Sequence, residues 1–132
     1  MIERIKVKTA KHTTVINITQ RVREIVEASS IENGLCVVYV PHTTAAVFVN
    51  EGADPDVVKD ILNTLERLVP WENNYAHTEG NAAAHIKSSI IGNSRIIPIL
   101  ENKLMLGRWE AIFLAEFDGP REREVVVSVL RI

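Results

Sequence analysis

The stretch ADPDVVKDILNTLERLVP most constrains the fold, because its pattern predicts one local structure. Asp54 can cap the free amides of a first turn, and Pro55 has the φ that a first helical position needs. Val58, Ile61, Leu62, Leu65 and Leu68 then recur at helical spacing along one face, and Pro70 marks the exit. That face must lie on something apolar. The neighbouring segments supply it as strands: GLCVVYVP and TAAVFVN before the helix, then SRIIPIL, KLMLGRWEAIFLAEF and REREVVVSVLRI after it. The last two are joined by a turn at DGPR, where Gly119 and Pro120 punctuate the chain.

The opening residues alternate polar and apolar, with Ile5 and Val7 followed by Val15, Ile16 and Ile18. This predicts an antiparallel hairpin turning near Lys11 and His12. Thr19 reads as the N-cap of a helix carrying Val22, Ile25 and Val26 and ended by Asn33-Gly34. NAAAHIKSSII reads as a shorter helix, with Asn81 as its cap and Gly92 as its stop. Strands therefore flank and separate two or three helices without regular βαβ alternation. The expected fold is α+β, with a mixed, mainly antiparallel sheet. At 132 residues, residues 1–132 are expected to form one compact domain.

A net charge of −2 leaves no overall electrostatic footprint for nucleic acid or an anionic membrane. MIERIKVKTA lacks the apolar core of a signal peptide, and no apolar run approaches membrane-spanning length. A cytoplasmic protein with neither a nucleic-acid nor a membrane partner is the expectation. Cys36 is the only cysteine, so an internal disulfide is impossible and a Cys-based metal cluster within one chain is excluded. Within LCVVYV it reads as a packed core thiol. There is no glycine-rich phosphate loop, dinucleotide fingerprint or GxSxG turn.

Chemistry collects in NAAAHIKSSIIG. On a helix, Asn81, His85, Ser88 and Ser89 share one face, while Ala83, Ile86 and Ile90 fall on another and would anchor it to the core. His42, flanked by Thr43 and Thr44, lies where one strand ends and the next begins; Asn50 and Glu51 close that next strand. NNYAHTEGN supplies His77. Three imidazoles, His42, His77 and His85, suit zinc or another divalent ion and leave a position for water or substrate, with Glu51 and Glu79 as carboxylate partners. Their spacing matches no compact zinc motif. Lys87, Arg108 and Arg121 have the chemistry to pair with phosphate. Arg121 and Arg123, set among glutamates, also read as a solvated strand end. Trp109 either walls a pocket for a planar ring or packs in the core. His12, at the expected hairpin turn, has no such company.

Together, PHTTAAVFVNEGADPDVVKDI, GNAAAHIKSSIIG and LGRWEAIFLAEFDGPREREVVV resemble the YjbQ family of small proteins, also called secondary thiamine-phosphate synthases. The likeness runs in order over essentially the whole chain. Where an aspartate is common just before the alanine and histidine of the central motif, this chain has Ala83 and Ala84, so any role for that acidic side chain is absent. The resemblance implies an α+β fold and a homotrimer with sites near subunit boundaries. It also implies weak thiamine-phosphate synthase activity and functional histidines at His42, His77 and His85. In that reaction a thiazole nitrogen displaces pyrophosphate from the methylene carbon of a pyrimidine, so catalysis chiefly neutralises the leaving group. A divalent metal on the three histidines would do so, aided by Lys87, Ser88 and Arg121, with Glu51 or Asn50 orienting a water or the ring. Thr43, Thr44, Asn81, Ser89 and Arg108 complete the expected contacts to a small phosphorylated metabolite. The same residues are compatible with a metal-dependent hydrolase, or with a non-catalytic module that binds a metal or small anion.

Overall fold

The computed structural model describes all 132 residues and separates the two strands expected to form an opening hairpin. Strand β1 (Ile2–Lys8) and strand β2 (Thr14–Asn17) enter different sheets. The remaining elements are α1 (Thr19–Ala28), β3 (Gly34–Tyr39), β4 (Ala45–Glu51), α2 (Pro55–Leu68), α3 (Ala82–Ile91), β5 (Ser94–Leu100), β6 (Lys103–Leu104), β7 (Glu110–Glu116) and β8 (Glu122–Arg131). One sheet has the order β1-β8-β3-β5-β6 and the other β2-β7-β4, and every pairing is antiparallel. Alternation in the opening residues predicted strands correctly but carried no information about their partners. β1 pairs with β8, and β2 with β7.

The three-stranded sheet is a middle layer. Successive side chains of a strand point to opposite faces, so β4 and β7 feed two cores. Val47, Ile112 and Leu114 face the larger sheet, meeting Ile5, Val7, Cys36, Val38, Val125, Val127 and Val129 together with Ile18, Val22 and Val26 at α1. Ala46, Phe48, Phe113 and Ala115 face the other way, under Leu65 of α2 and Ala84 of α3. Cys36 is fully buried, and loss of solvation pushes its thiol up to about 11, as a packed core thiol requires.

Local chemistry sets the helix ends. At α1 the N-cap is Ile18, one residue earlier than expected and without a side-chain cap bond; Asn17 Oδ1, just before it, accepts from the Thr19 N–H at 3.0 Å, and Thr19 is already helical. The helix also stops at Ala28, well before Asn33-Gly34. Gly34 instead opens β3, where an added Cβ would lie 1.9 Å from the Leu130 carbonyl oxygen. α2 begins as expected, with Pro55 first and Asp54 Oδ1 accepting from the Asp56 N–H at 2.9 Å. Its apolar stripe is only partly covered, since Leu65 is buried while Leu68 is 73 % exposed.

α3 stops at Gly92, whose φ of +94° suits glycine. The helix is turned differently from the expected orientation. Ile86 and Ile90 lie outside, and Ala83, Ala84, Lys87 and Ser88 form the buried face. Alanines let the helix lie close on β4, which bulkier isoleucines would prevent. No helix is long and apolar enough to cross a membrane. Asp54→Ala should lower the unfolding free energy by about 1 kcal/mol. Urea denaturation measures this, and an unchanged curve would mean the cap contributes nothing.

Candidate functional site

The candidate site is built over a buried ion pair. Counting in steps of two along β8 places Arg123 in phase with Val125, Val127 and Val129; the same count along β7 places Glu116 with Ile112 and Leu114. Both charges therefore point between the sheets, where Glu116 is 0 % and Arg123 5 % exposed. Arg123 Nε donates to Glu116 Oε1 at 2.8 Å, and its Nη2 pairs with Oε2. The same Nη2 donates to Thr44 Oγ1 at 2.8 Å. Thr9 Oγ1 donates to Glu116 Oε1 at 2.7 Å, and the Asp118 N–H to Oε2 at 3.1 Å. Burial alone would raise the Glu116 pKa. Its bonds to Arg123, Thr9 and the Asp118 amide outweigh that and hold it below the usual carboxylate range.

Beside this pair is a hollow of about 370 Å³, lined by Pro41, His42, Thr43, Thr44, Glu79, Asn81, His85, Arg121 and Arg123. His42 Nε2 accepts from the Glu124 N–H at 2.9 Å, which places the ring proton of the neutral form on Nδ1. Burial, then the nearby Arg123 guanidinium, lower its pKa and favour that neutral form. Asn81 stands at the start of α3 but does not cap it with its side chain. Its Nδ2 donates to Asp118 Oδ2 at 2.9 Å, while its Oδ1 is buried without a protein donor. Reversing the amide would set two oxygens against each other, so the assignment follows from the carboxylate. Without a side-chain cap, the first-turn N–H groups of Ala82 and Ala83 have no protein acceptor.

Arg121 Nε donates to the Asp118 carbonyl at 2.8 Å and Nη2 to Asp118 Oδ2 at 3.0 Å. Its Nη1 makes no protein hydrogen bond. Burial works to raise the Asp118 pKa, but bonds from Asn81 and Arg121 and the nearby charges of Arg121 and His12 hold it below the usual range. His85, one turn into α3, meets His77 edge-on with ring centroids 5.2 Å apart. His77 Nε2 lies 3.8 Å from Glu79 Oε2.

The fold thus gathers His42, Thr43, Thr44, Asn81, His85 and Arg121 around one hollow, with His77 beside it. The other expected residues lie elsewhere. Asn50 and Glu51 are at the far end of β4, about 20 Å along the strand. There the Asn50 side chain accepts from the Glu51 N–H at 2.7 Å, and Glu51 Oε2 from the Asp54 N–H at 3.0 Å, shaping the turn into α2. Lys87 is buried against α2 in an ion pair with Glu66, and Ser88 points inward. Ser89 Oγ donates to the His85 carbonyl at 2.8 Å. Arg108 stacks over Trp109 at 4.8 Å, at the Glu110 end of β7. Trp109 is 57 % exposed, which removes the core-packing reading.

Within a single chain His42, His77 and His85 do not come together as a three-ligand group. No group of three or more His, Cys, Asp or Glu side chains is placed to hold an ion, and His42 Nε2 is already bonded to the β8 backbone. His12 is better connected than its sequence context suggested. Its Nε2 lies 3.8 Å from Asp118 Oδ1 and its ring meets Trp71 edge-on. The solvated-strand-end reading of Arg123 is overturned by its burial on Glu116, and its alternation with the buried valines of β8 is the signal the sequence holds.

Over residues 3–132 the sequence matches the family model described as UPF0047 protein YjbQ-like. The chain belongs to this family. A UPF0047 protein of Methanocaldococcus jannaschii is 45 % identical over 98 % of this chain and 94 % of its own length. The UPF0047 protein YugU of Bacillus subtilis is 40 % identical over 98 % of this chain and 99 % of its own. A crystal structure of a YjbQ/UPF0047 family protein from Clostridium acetobutylicum superposes with a TM-score of 0.95 at 44 % identity, covering 97 % of this chain and 99 % of that one. A YbjQ-like protein from Sulfolobus solfataricus superposes at 0.97 with 37 % identity, covering 100 % and 97 % of the two chains. The family likeness and the geometry meet at the same motifs, since PHTT, GNAAAH and DGPR surround the hollow.

Arg123→Ala strands the Glu116 carboxylate and should cost about 3–5 kcal/mol of stability at neutral pH. Because the folded Glu116 pKa is depressed, its contribution is full above the unfolded carboxylate pKa of about 4.3 and fades as pH falls through that range. Urea titrations of wild type and Glu116→Gln across that window should therefore converge on acidification; parallel curves would overturn this assignment.

Proposed function

We propose that the hollow holds the phosphate or pyrophosphate of a small phosphorylated metabolite, and that the protein is a transferase of the secondary thiamine-phosphate synthase type. The observation that carries this reading is the lining. Apart from Pro41, every residue there brings an imidazole, hydroxyl, amide, carboxyl or guanidinium group. Small-molecule pockets are ordinarily walled mainly by apolar side chains, so this one suits a compact, highly polar group. Arg121 Nη1, the His42 Nδ1–H and the Thr43 hydroxyl are donors for an anion.

The proposed reaction joins a pyrimidine pyrophosphate to a thiazole phosphate. The thiazole nitrogen attacks the methylene carbon with its own lone pair, forming a C–N bond as the C–O bond to pyrophosphate breaks. No general base is required. The site must instead stabilise the charge gathering on the departing pyrophosphate, and preorganised donors do this most effectively. This charge stabilisation is assigned to the protein's own donors around the hollow. A binding protein without turnover is the second reading. The same polar lining supports it, since holding an anion asks no more of the hollow than its donors.

The subunits are proposed to assemble as a homotrimer in the cytoplasm, as the family resemblance implies. The outer face of the five-stranded sheet supports self-association. Ile2, Tyr39, Ile96, Leu100 and Leu130 are 42–68 % exposed there, apolar side chains that a neighbouring subunit would cover. Arg121→Ala should weaken inorganic pyrophosphate at least tenfold by calorimetry without unfolding the protein. Failure of the wild type to bind pyrophosphate would end the reading. Release of thiamine phosphate from the paired substrates separates turnover from binding. Sedimentation equilibrium should give three times the chain mass, and a monomer would remove the assembly.

A further inference from the structure

A hydroxyl, an imidazole and a carboxylate stand in a row beside α2, apart from the polar hollow. Thr13 Oγ1 and His12 Nδ1 are 2.9 Å apart, and His12 Nε2 lies 3.8 Å from Asp118 Oδ1. Strand register assembles the row. Thr14 pairs with Glu116, and continuing that count through Thr13 and Phe117 sets His12 opposite Asp118. The Gly119 N–H fastens the match by donating to the His12 carbonyl at 2.9 Å. A Cβ on Gly119 would lie 2.2 Å from the Lys11 carbonyl oxygen, so only glycine lets the two segments come this close.

Each member of the row is held for a different task. Asp118 Oδ2 accepts from Asn81 and Arg121, which leaves Oδ1 turned towards His12. The carboxylate favours the imidazole proton on Nε2, so Nδ1 keeps its lone pair for the Thr13 hydroxyl. The Trp71 ring meets His12 edge-on at 83°, with centroids 4.4 Å apart, and steadies the imidazole plane. A hydroxyl within hydrogen-bond reach of a base, itself oriented by a third group, is the arrangement that activates a nucleophile. A turn contact alone would need neither Asp118 behind the ring nor a cleft in front of the hydroxyl.

That cleft, of about 580 Å³, is lined by His12, Thr13, Leu62, Asn63, Glu66 and Trp71. Leu62 and Trp71 give it an apolar wall, and the Asn63 amide supplies a donor. Glu66 is already engaged, because Oε1 accepts from the Trp71 N–H at 3.3 Å and Oε2 pairs with Lys87. The wall suits an uncharged acyl group, and the amide suits the oxygen of its carbonyl.

We infer that the cleft is an acyl-transfer site, with Thr13 as nucleophile and His12 as its general base, acting on small uncharged carboxylic esters. This activity is separate from the reading of the hollow. Thr13 Oγ1 attacks the ester carbonyl carbon while its proton passes to His12 Nδ1. The carbonyl oxygen takes the negative charge, and Asn63 donates to it. The C–O bond to the alcohol then breaks, and the leaving oxygen takes the proton back from Nδ1. Water attacks the acyl group on Thr13, gives a proton to His12, and releases the acid as that proton returns to Oγ1. Asp118 touches no substrate; it is a positioning residue that sets the tautomer of His12.

The probes are p-nitrophenyl acetate and p-nitrophenyl butyrate, used with the full chain. Wild type should release nitrophenol from both, and acid quenching should trap one acyl group on the peptide that contains Thr13, read by mass spectrometry. Thr13→Val and, separately, His12→Ala should each lower turnover by about a hundredfold or more. Thr13→Ser, which keeps a hydroxyl, should retain it. Nitrogen NMR shifts of His12 should report the proton on Nε2 in the wild type and a tautomer mixture in Asp118→Asn, a change that lost packing alone would not give. A Thr13→Val rate equal to wild type overturns the site, as do acyl groups found only on lysines or other histidines. Absence of nitrophenol release by the wild type overturns it as well.

Discussion

The ion pair between Glu116 and Arg123 is the constraint on which the remaining architecture depends. It lies where two sheets would otherwise be joined only by apolar contact, and it reaches four separate parts of the chain. Thr9 follows β1, Thr44 precedes β4, and the two charges themselves belong to β7 and β8. Desolvating two charges opposes folding unless their remaining hydrogen-bonding capacity is met, and here both carboxylate oxygens have further donors. A slip of either strand by one residue would turn its charge away from the other. The pair therefore sets register as well as distance, and it holds the floor of the hollow independently of any ligand.

That arrangement explains why the polar residues gather at one end of the middle sheet. Thr44 at the start of β4 and Glu116 at the end of β7 are at the same edge because the two strands run antiparallel, with Ala45 opposite Glu116. α3 brings Asn81 and His85 to that edge, while Asn50, Glu51, Arg108 and Trp109 are carried to the opposite one. Two groups of residues that look equally reactive in sequence are thus divided by the length of one strand. The buried alanines of α3 permit the close packing that places His85.

Much of this was legible in the residues. Asp54-Pro55 marked the start of α2, alternating valines marked the strands, and the motifs around His42, Asn81, His85 and Arg121 converged on one hollow. What was not legible depends on partnership. Alternation in β1 and β2 is equally satisfied by pairing with each other or with distant strands. Lys87 looked like an anion contact because nothing near it in sequence announces Glu66, whose carboxylate draws it inward. Ile86 and Ile90 looked like core residues because hydrophobicity alone does not register that smaller neighbours pack more closely. His42 looked like a free ligand, and only the strand pairing that brings the Glu124 amide to its Nε2 shows that this nitrogen is occupied.

Cys36 has a practical consequence of its own. The chain's only thiol is fully enclosed and its pKa is raised to about 11, so at neutral pH it offers almost no thiolate to electrophiles. Burial and a raised pKa both shield this thiol from maleimides and iodoacetamide, so no cysteine has to be removed before labelling. A cysteine introduced at an exposed position would be a unique attachment point for a dye or spin label. Distances across the two cavities, and between subunits of any assembly, can therefore be followed from a single engineered handle in an otherwise natural sequence.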